Sequence, residues 1–233
     1  MGIIGQGIIE ALRLIFTFDP EVLNITLRTL QVSGTATLIS VFIGVPVGTL
    51  LALKTFIGRQ AVVSLVNFGM GLPPVVVGLL TWLLLTRYGP LGFLGLLYNP
   101  PALVIAQAII ASPIVMGFTI AAIQSLNPKI RLQIMALGAS RLQFLFLILK
   151  EARLGLLAAV IAGFGGVISE VGASMMVGGN VKGETRVLTT ATVLEVSKGN
   201  FEIATALSII LLLISFIIVA VLTNMQQRGK LPA

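Results

Sequence analysis

Several side chains between residues 169 and 190 could donate hydrogen bonds to an anion. They carry hydroxyl, amide and guanidinium groups, and they are Ser169, Ser174, Asn180, Arg186, Thr189 and Thr190. An anion that is stripped of water needs several such donors to converge on it. Each residue also has an ordinary alternative, because Ser and Thr in apolar helices often bond their own backbone and loop arginines usually face water.

The sequence offers few residues for metal binding or acid–base catalysis. The chain has no Cys and no His, which excludes disulfides and thiolate metal sites and removes the commonest metal ligand and acid–base group. We therefore expect no metal site and no catalytic residue. Residues 178–185 imitate the glycine spacing of a phosphate-binding loop, but Glu184 takes the place of the required lysine. We expect that this chain binds no ATP itself, and a membrane-embedded enzyme is disfavoured.

Long uncharged runs must position these residues. The chain of 233 residues is 57% hydrophobic and 10% charged, whereas a soluble chain has about a quarter charged residues. A span needs about 20 apolar residues to cross roughly 30 Å of hydrocarbon. Four uncharged runs meet this requirement and a fifth apolar run contains a single acid, so we place spans at residues 29–53, 61–85, 102–126, 154–177 and 203–223. The sequence predicts an all-α integral membrane protein with its transmembrane domain over residues 29–223.

Basic residues are distributed unevenly around these spans. Of the 15 Lys and Arg residues, nine flank the side that carries residues 127–153 and the C-terminus, and six lie on the other side. The positive-inside rule therefore places residues 127–153 and the tail, residues 224–233, in the cytoplasm, and the N-terminus outside. This asymmetry accounts for the net charge of +7, so nucleic acid is not an expected partner.

Residues 1–28 form the outer N-terminal segment in this arrangement. Over residues 1–16, isoleucine and leucine side chains fall near one face of a helix, with Gln6, Glu10 and Arg13 on or near the other. This pattern is typical of a helix that lies in the membrane interface, and a sixth, short span is the alternative. A basic n-region and a small-residue cleavage site are missing, so we expect no cleavable signal peptide.

Glu170 is the only acid inside a predicted span. It lies 16 residues beyond Leu154, which is about 24 Å along a helix and so near the outer interface. A carboxylate that faces an anion would repel it. We therefore expect Glu170 to pair with a cation such as Arg28 or Arg186 rather than to contact substrate.

Prolines and glycines predict special geometry in two spans. Pro73 and Pro74 remove two amide donors in mid-span, so we predict a hinge or a pore-lining break that includes Gly78. A kinked packing helix is the alternative. Gly44 and Gly48 are four residues apart on either side of Pro46, a spacing that permits close approach of another helix.

The basic island, residues 127–153, predicts two short helices. Asn127 suits the N-cap of the first, Gly138 suits the left-handed residue that ends it, and Ser140 can cap the second. The residues that offer an apolar face outside the lipid are Leu132, Met135 and Ala136. Either a partner protein receives this face, or the two helices rest on lipid headgroups.

The basic island resembles the Glu-Ala-Ala loop of ATP-binding-cassette (ABC) importer permeases, in which a helix docks into a cleft of the partner ATPase. The family glycine corresponds to Gly138 and the isoleucine ten residues later to Ile148. Residues 132–134 are Leu-Gln-Ile where the family has Glu-Ala-Ala, and Lys150 and Glu151 replace its Leu-Pro. The resemblance implies the placement of the helix but no ion pair from the family's Glu. The implied ATPase-coupling residues are Arg131, Leu132, Gln133, Met135, Ala136, Leu137, Gly138, Ala139 and Ser140.

Further segments resemble the permeases for molybdate, tungstate and sulfate. They are residues 72–78 and 169–173, while residues 177–190 and 197–201 are most similar to the tungstate-specific branch. The resemblance implies the transmembrane domain of a type I ABC importer, multi-pass in a prokaryotic cell membrane, that carries tungstate. Molybdate or sulfate permeases are the alternatives.

The resemblance also implies the partners. Two copies of the chain would form the pore in the bilayer, and two copies of an ATPase, which bind ATP and Mg, would act on the basic island. An extracytoplasmic tungstate-binding protein would deliver the anion to the loops at residues 87–101 and 178–202. An ion-coupled secondary transporter would need internal repeats and ionisable residues at mid-membrane, and we find neither in the sequence.

Overall fold

A computed structural model describes residues 2–227, so the predicted tail residues Arg228 and Lys230 lie outside the described part. Within that part every regular element is helical, which confirms the predicted all-α fold. The elements in chain order are α1 (Ile3–Phe16), α2 (Pro20–Leu53), α3 (Arg59–Met70), α4 (Pro74–Leu85), a 3-10 turn (Gly92–Leu94), α5 (Pro100–Gln124), α6 (Pro128–Ala136), α7 (Arg141–Glu151), α8 (Arg153–Ile168), α9 (Gly172–Gly178), α10 (Leu188–Ser197) and α11 (Phe201–Gln227).

Three helices are long and apolar enough to cross a membrane alone, namely α2, α5 and α11. The pair α3 and α4 is bent by 102° and the pair α8 and α9 by 59°, and each pair passes the same test together. The described residues therefore hold three unbroken spans, or five when each bent pair is one crossing, in agreement with the five that the sequence predicts. α10 lies between α9 and α11, in the loop at residues 178–202 that the basic-residue pattern places outside (the outer loop region), and it was not predicted.

One of the two breaks was expected and one was not. The prolines at residues 73 and 74 predict the break before α4. The span predicted at residues 154–177 is wrong as a continuous helix, because α8 ends at Ile168 and α9 begins at Gly172. The break leaves the amide of Ala173 without a helical partner, and the side chain of Glu170 accepts its hydrogen bond.

The first span begins earlier than predicted. We expected it at residue 29, where the uncharged run starts, but α2 begins at Pro20. The Oδ1 atom of Asp19 accepts hydrogen bonds from the backbone nitrogens of Glu21 (3.0 Å) and Val22 (2.9 Å), which is a standard N-cap. The helix has 34 residues, or about 51 Å, so it is longer than the hydrocarbon core of roughly 30 Å.

Glycines allow α2 and α5 to pack closely, as predicted. A Cβ atom added at Gly44 would lie 2.8 Å from the Cβ of Val115, and one added at Gly48 would lie 2.8 Å from the carbonyl oxygen of Met116. Pro46 lies between them inside α2 without ending the helix. Small residues thus let the two backbones approach closely. Inside a bilayer the hydrophobic effect does not drive helices together, so this close packing is what holds α2 against α5.

α1 packs against the beginning of α11. Gly7 leaves room for the side chain of Thr205, Ala11 is buried, and Leu14 packs on the cluster that contains Leu207. The opposite face is apolar and exposed. With 14 residues α1 is shorter than the roughly 20 that a span needs, and its placement in the interface stays a prediction.

Candidate functional site

The basic island folds as the predicted helix, turn and helix. The Oδ1 atom of Asn127 accepts a hydrogen bond from the backbone nitrogen of Lys129 at 2.9 Å and caps α6. Gly138 has a φ of +73°, the left-handed conformation that glycine adopts without strain. The backbone nitrogen of Ser140 donates to Oε1 of Gln143 at 2.8 Å, and the nitrogen of Gln143 donates to Oγ of Ser140 at 3.4 Å. This capping box fixes the start of α7 relative to the turn.

One face of the basic island is buried against the ends of the spans. Ile134 of α6 and Ile148 of α7 share an apolar cluster with Ala52 at the end of α2 and Ile123 at the end of α5. Nη2 of Arg131 also donates to the carbonyl oxygen of Ile123 at 3.2 Å. Arg131 belongs to the predicted coupling set, but in this structure its guanidinium is directed toward its own chain.

The opposite face of the basic island is open. Leu132, Met135 and Leu137 are exposed, Leu137 to 86%. The remaining residues of the predicted coupling set are also accessible: Gln133, Ala136, Gly138 and Ser140 are exposed and Ala139 is half-buried. A hollow of about 540 Å³ lies beside the turn. Exposed apolar residues in a polar surround are typical of a protein-interaction surface.

Sequence reasoning missed part of this surface. Leu142 and Phe146 of α7 are exposed, and Phe146 lines the hollow at the turn. The signal was present, because residues 144–149 are uniformly apolar in a helix that we placed outside the lipid. The spacing of Leu142 and Phe146, one helical turn apart, puts both on one side of α7.

The two bent spans touch each other at their breaks. Gly172, at the start of α9, lies against Val75, at the start of α4, where an added Cβ would be 2.7 Å from the Cγ2 of Val75. One turn further along α4, a Cβ added at Gly78 would be 2.7 Å from the Cα of Ala173. Gly78 therefore lies in a close helix contact. Pro73 and Pro74, with which Gly78 was predicted as a hinge, form the bend itself.

Most of the predicted path residues are engaged within the chain. The hydroxyl of Ser174 accepts a hydrogen bond from Nε2 of Gln107 at 3.3 Å, and Thr189 donates to the carbonyl oxygen of Glu170 at 2.9 Å. Nδ2 of Asn180 donates to the carbonyl oxygen of Thr190 at 3.3 Å. The hydroxyl of Thr190 itself bonds to Val187. These four path residues are buried and do not converge on one open site in this structure.

The remaining two path residues are more accessible. Ser169 is exposed, and its hydroxyl donates to the carbonyl oxygen of Gly165 at 2.9 Å. Arg186 lies in a cavity of about 220 Å³ that also contains Glu10, Asp19, Glu21 and Glu195. Nη1 of Arg186 is 3.3 Å from Oε1 of Glu21, whose Oε2 is 2.7 Å from Nζ of Lys182. Four carboxylates around one guanidinium disfavour an anion there.

The expected ion pair of Glu170 is wrong. Arg186 pairs with Glu21, and Nη1 of Arg28 donates to Oε1 of Gln31 at 3.2 Å. Oε1 of Glu170 instead accepts a hydrogen bond from the backbone nitrogen of Ala173 at 2.8 Å, and the residue is only 7% exposed. The early start of α2 explains the difference, since it brings Glu21 to Arg186.

Another acid of the outer loop region is held charged. Oε2 of Glu195 accepts a hydrogen bond from Nδ2 of Asn200 at 2.7 Å, and Oε1 lies 2.8 Å from Nζ of Lys198. The hydrogen bond from Asn200, followed by that from Lys198, lowers the pKa of Glu195 below its ordinary value. This network ties the end of α10 to the beginning of α11.

Buried polar atoms in the spans were also missed. Oε1 of Gln107, in the middle of α5, has no hydrogen-bond partner among the described residues, and neither has the hydroxyl of Thr81 or of Thr119. Gln107 could have been found, because it is the one amide side chain in the uncharged run from residue 102 to residue 123. Its partner Ser174 comes from α9, which only the folded chain reveals.

The chain matches a protein family described as binding-protein-dependent transport system inner membrane component, over residues 44–230. It is 39% identical over 228 residues to the tungstate uptake system permease protein TupB of Peptoclostridium acidaminophilum, covering 98% of this chain and 100% of that protein. It is 35% identical to TupB of Campylobacter jejuni, over 91% of this chain and 89% of that protein. Against the molybdenum transport system permease protein ModB of Escherichia coli K12, identity is 30% over 74% of this chain and 79% of the relative.

Solved structures share the fold. A bacterial ABC transporter involved in the import of alginate aligns with a TM-score of 0.75 at 20% identity, over 94% of this chain and 83% of that chain. The MetNI methionine ABC transporter, in an inward-facing conformation, aligns with a TM-score of 0.67 at 20% identity, over 89% of this chain and 94% of that chain.

Proposed function

This chain belongs to the family of binding-protein-dependent transport system inner membrane components, as a permease subunit of an ABC importer, and we propose that the oxyanion it imports is tungstate. The observation that carries the proposal is the similarity to a tungstate permease along the whole chain. Similarity to molybdenum permeases is lower and covers less of the chain, so molybdate is the second candidate. Sulfate is a weaker alternative.

Leu132, Met135 and Leu137 form the exposed tip of the basic island, and this tip is the proposed contact with the ATPase. Burying Leu132, Met135 and Leu137 in a cleft would stabilise the complex by about 2 kcal/mol for each side chain. No ion pair is needed for this contact. ATP and Mg would bind to the ATPase, and this chain would bind neither.

Movement of the ATPase would reach the spans through the buried face of the island. Ile134 and Ile148 are packed against the ends of α2 and α5. Because packed apolar side chains resist deformation, a displacement of the tip would move these span ends with it. The bends before α4 and α9 are the proposed hinges of alternating access, since they are places where the helices are already interrupted.

Two copies of the chain would enclose the path. Support comes from the arrangement within one copy. Asn180, Thr189 and Thr190 donate hydrogen bonds inside the chain and Ser174 accepts one, so these four residues form no open anion site in a single copy. Ser169 is the exposed member of the predicted set and is proposed as a contact on the path between the copies. An extracytoplasmic binding protein would deliver the anion and supply most of the selectivity.

Reconstitution tests this function. The permease, its ATPase and the binding protein would be placed in proteoliposomes, and ATP hydrolysis and uptake would be measured with tungstate, molybdate or sulfate. We expect tungstate to stimulate hydrolysis at the lowest concentration, with no stimulation when the binding protein is omitted. A lower half-maximal concentration for molybdate or sulfate would reassign the substrate. Uptake without the ATPase, driven by an ion gradient, would exclude the ABC mechanism.

A further inference from the structure

An apolar groove lies between α7 and the end of α2 that the basic-residue pattern places at the cytoplasmic side. We call it the inner groove. It has a volume of about 380 Å³ and is lined by Val45, Pro46, Thr49, Leu50, Leu53, Lys54, Leu145 and Leu149. The hydroxyl of Thr49 donates to the carbonyl oxygen of Val45 at 2.7 Å, so it is already occupied. The inner groove is therefore lined by apolar surface, with Lys54 as the one cation in its lining.

The depth of the inner groove matches one leaflet. Val45 to Leu53 belong to the span, and Lys54 is the residue that follows the last turn of α2. The nine residue-to-residue steps from Val45 to Lys54 cover about 14 Å along the helix axis, or half of a hydrocarbon core of roughly 30 Å. Lys54 thus lies at headgroup level when the apolar lining lies at the level of an acyl chain.

A second cation lies on the side of α7 that lines the groove. Arg141 precedes Leu145 by four residues and Leu149 by eight, so all three lie on one side of α7. Arg141 and Lys54 are both exposed. Within residues 2–227, the ion pairs of the structure involve neither of them. Their positive charges therefore have no carboxylate partner within the described part of the chain.

Three occupants can be compared. A soluble ATPase could meet α7 but does not reach the α2 side of the groove, Val45 to Leu53, which lies at hydrocarbon depth. A second copy of the chain would bring only one acid on this side of the membrane, Glu151, which lines a different hollow. A phospholipid with an anionic headgroup supplies both an apolar chain for the groove and a phosphate for the cations.

We propose that the inner groove binds an anionic phospholipid of the cytoplasmic leaflet, with one acyl chain along Leu50 and Leu149 and the headgroup held by Lys54 and Arg141. Each basic residue near an anionic leaflet is worth a factor of about five in affinity. The lipid bridges α2 and the basic island, so it would stabilise the arrangement of these two elements. This inference does not depend on which oxyanion is transported.

The single tryptophan of the chain makes a direct test practicable. Trp82 would be changed to Phe, and a new fluorophore introduced in the groove by Leu50→Trp. In parallel, Leu212→Trp on the exposed face of α11 provides a reference position away from the groove. Each protein would be placed in nanodiscs of phosphatidylcholine that contain a minor fraction of phosphatidylglycerol, with bromine on the acyl chains of either lipid.

We expect brominated phosphatidylglycerol to quench Leu50→Trp several-fold more than the same fraction of brominated phosphatidylcholine, and to quench Leu212→Trp no more than that. Adding Lys54→Gln and Arg141→Gln should remove the preference, whereas Lys129→Gln, at an exposed basic residue outside the groove, should leave it. Equal quenching by the two lipids at Leu50→Trp, meaning ordinary boundary lipid only, would overturn the proposal. If neither lipid quenched Leu50→Trp until the dimer was dissociated, a second copy of the chain would be the occupant and the proposal would be wrong. If quenching by both lipids were lost on adding the ATPase, the ATPase would be the occupant instead.

A measurement without engineered fluorophores covers the case in which Leu50→Trp does not fold. Native mass spectrometry of the unmutated chain and of the Lys54→Gln, Arg141→Gln double variant would count the retained phospholipids. We expect phosphatidylglycerol to be retained preferentially by the unmutated chain alone. Identical retention by both proteins would contradict the proposal.

Discussion

Oε1 of Glu170 lies 2.8 Å from the backbone nitrogen of Ala173, at the break between α8 and α9. The carboxylate therefore caps the interrupted helix, and the carbonyl oxygen of the same residue accepts a hydrogen bond from Thr189 in the outer loop region. Glu170 thus connects α8, α9 and α10, and it forms no ion pair with any residue from 2 to 227. In an apolar surround, an uncapped amide is costly, which explains an acid at this depth.

The cap predicts different effects for two changes at Glu170. Glu170→Gln keeps an acceptor oxygen and should lower the free energy of unfolding by less than about 1 kcal/mol. Glu170→Ala leaves the amide of Ala173 without a partner and should lower it by about 2 kcal/mol. Thermal unfolding of the purified permease in detergent would measure both. If Gln were as damaging as Ala, the negative charge rather than the acceptor would be the essential property.

The contact of α2 with α5 predicts a strong dependence on glycine. Gly48→Ala would place a methyl group 2.8 Å from the carbonyl oxygen of Met116 and should destabilise the protein by about 1 to 3 kcal/mol. Gly34→Ala is the matched control on the same helix, where nothing lies within 4 Å of the added Cβ. There the helix propensity of Ala should leave stability unchanged or raise it by about 0.5 kcal/mol. Equal losses at both positions would show that the close contact is not limiting.

The exposed tip predicts a loss of ATPase binding without a loss of permease stability. Leu137→Ser removes about 2 kcal/mol of apolar burial from the proposed contact and should weaken the complex about 30-fold. Ile57→Ser is the control, because Ile57 is fully exposed in another loop on the same predicted side. Affinity for the ATPase would be measured in nanodiscs. An unchanged affinity for Leu137→Ser would remove the tip from the interface.

The buried side of the same island predicts a separate phenotype. Ile148→Ala empties space in the cluster with Ala52 and Ile123 and should cost about 2 to 4 kcal/mol of stability. ATP hydrolysis should then continue while uptake falls, because tip movement is no longer passed to the spans. The ratio of tungstate transported to ATP hydrolysed measures this coupling. A variant that keeps the ratio would contradict the proposed transmission.

Glu195 predicts how the outer region responds to acid. Its pKa is lowered mainly by the hydrogen bond from Asn200, so its carboxylate contributes stability above the pKa of the unfolded chain. That stability is lost as the pH falls through the lower, folded-state pKa. Asn200→Ala should raise the pKa of Glu195. It should also reduce stability at neutral pH by about 1 kcal/mol, because the Glu195 side chain is only 14% exposed and water cannot fully replace the lost hydrogen bond. Unfolding measured from neutral to acid pH would check this, with the exposed Asn24→Ala as the control.

The sequence determined features that depend on residues close to one another. Asn127, Gly138 and Ser140 act within a turn of their own positions, and the predicted caps and turn are present. The same locality applies to Asp19, which caps α2 at Pro20, although the uncharged run alone predicts a start at residue 29. Uncharged runs long enough for a bilayer likewise fix the spans, because hydrocarbon thickness sets their length.

Which distant groups meet depends on how the helices pack. Arg186 pairs with Glu21 of α2, which left Glu170 to cap α9, and Arg131 turns toward Ile123 rather than outward. The sequence specifies which side chains carry donors and acceptors. At any one position in the fold, however, more of these groups compete than there are partners for them. The packing of α2, α5 and α9 settles that competition, because a hydrogen bond forms only between groups that the folded backbone brings within about 3 Å of each other.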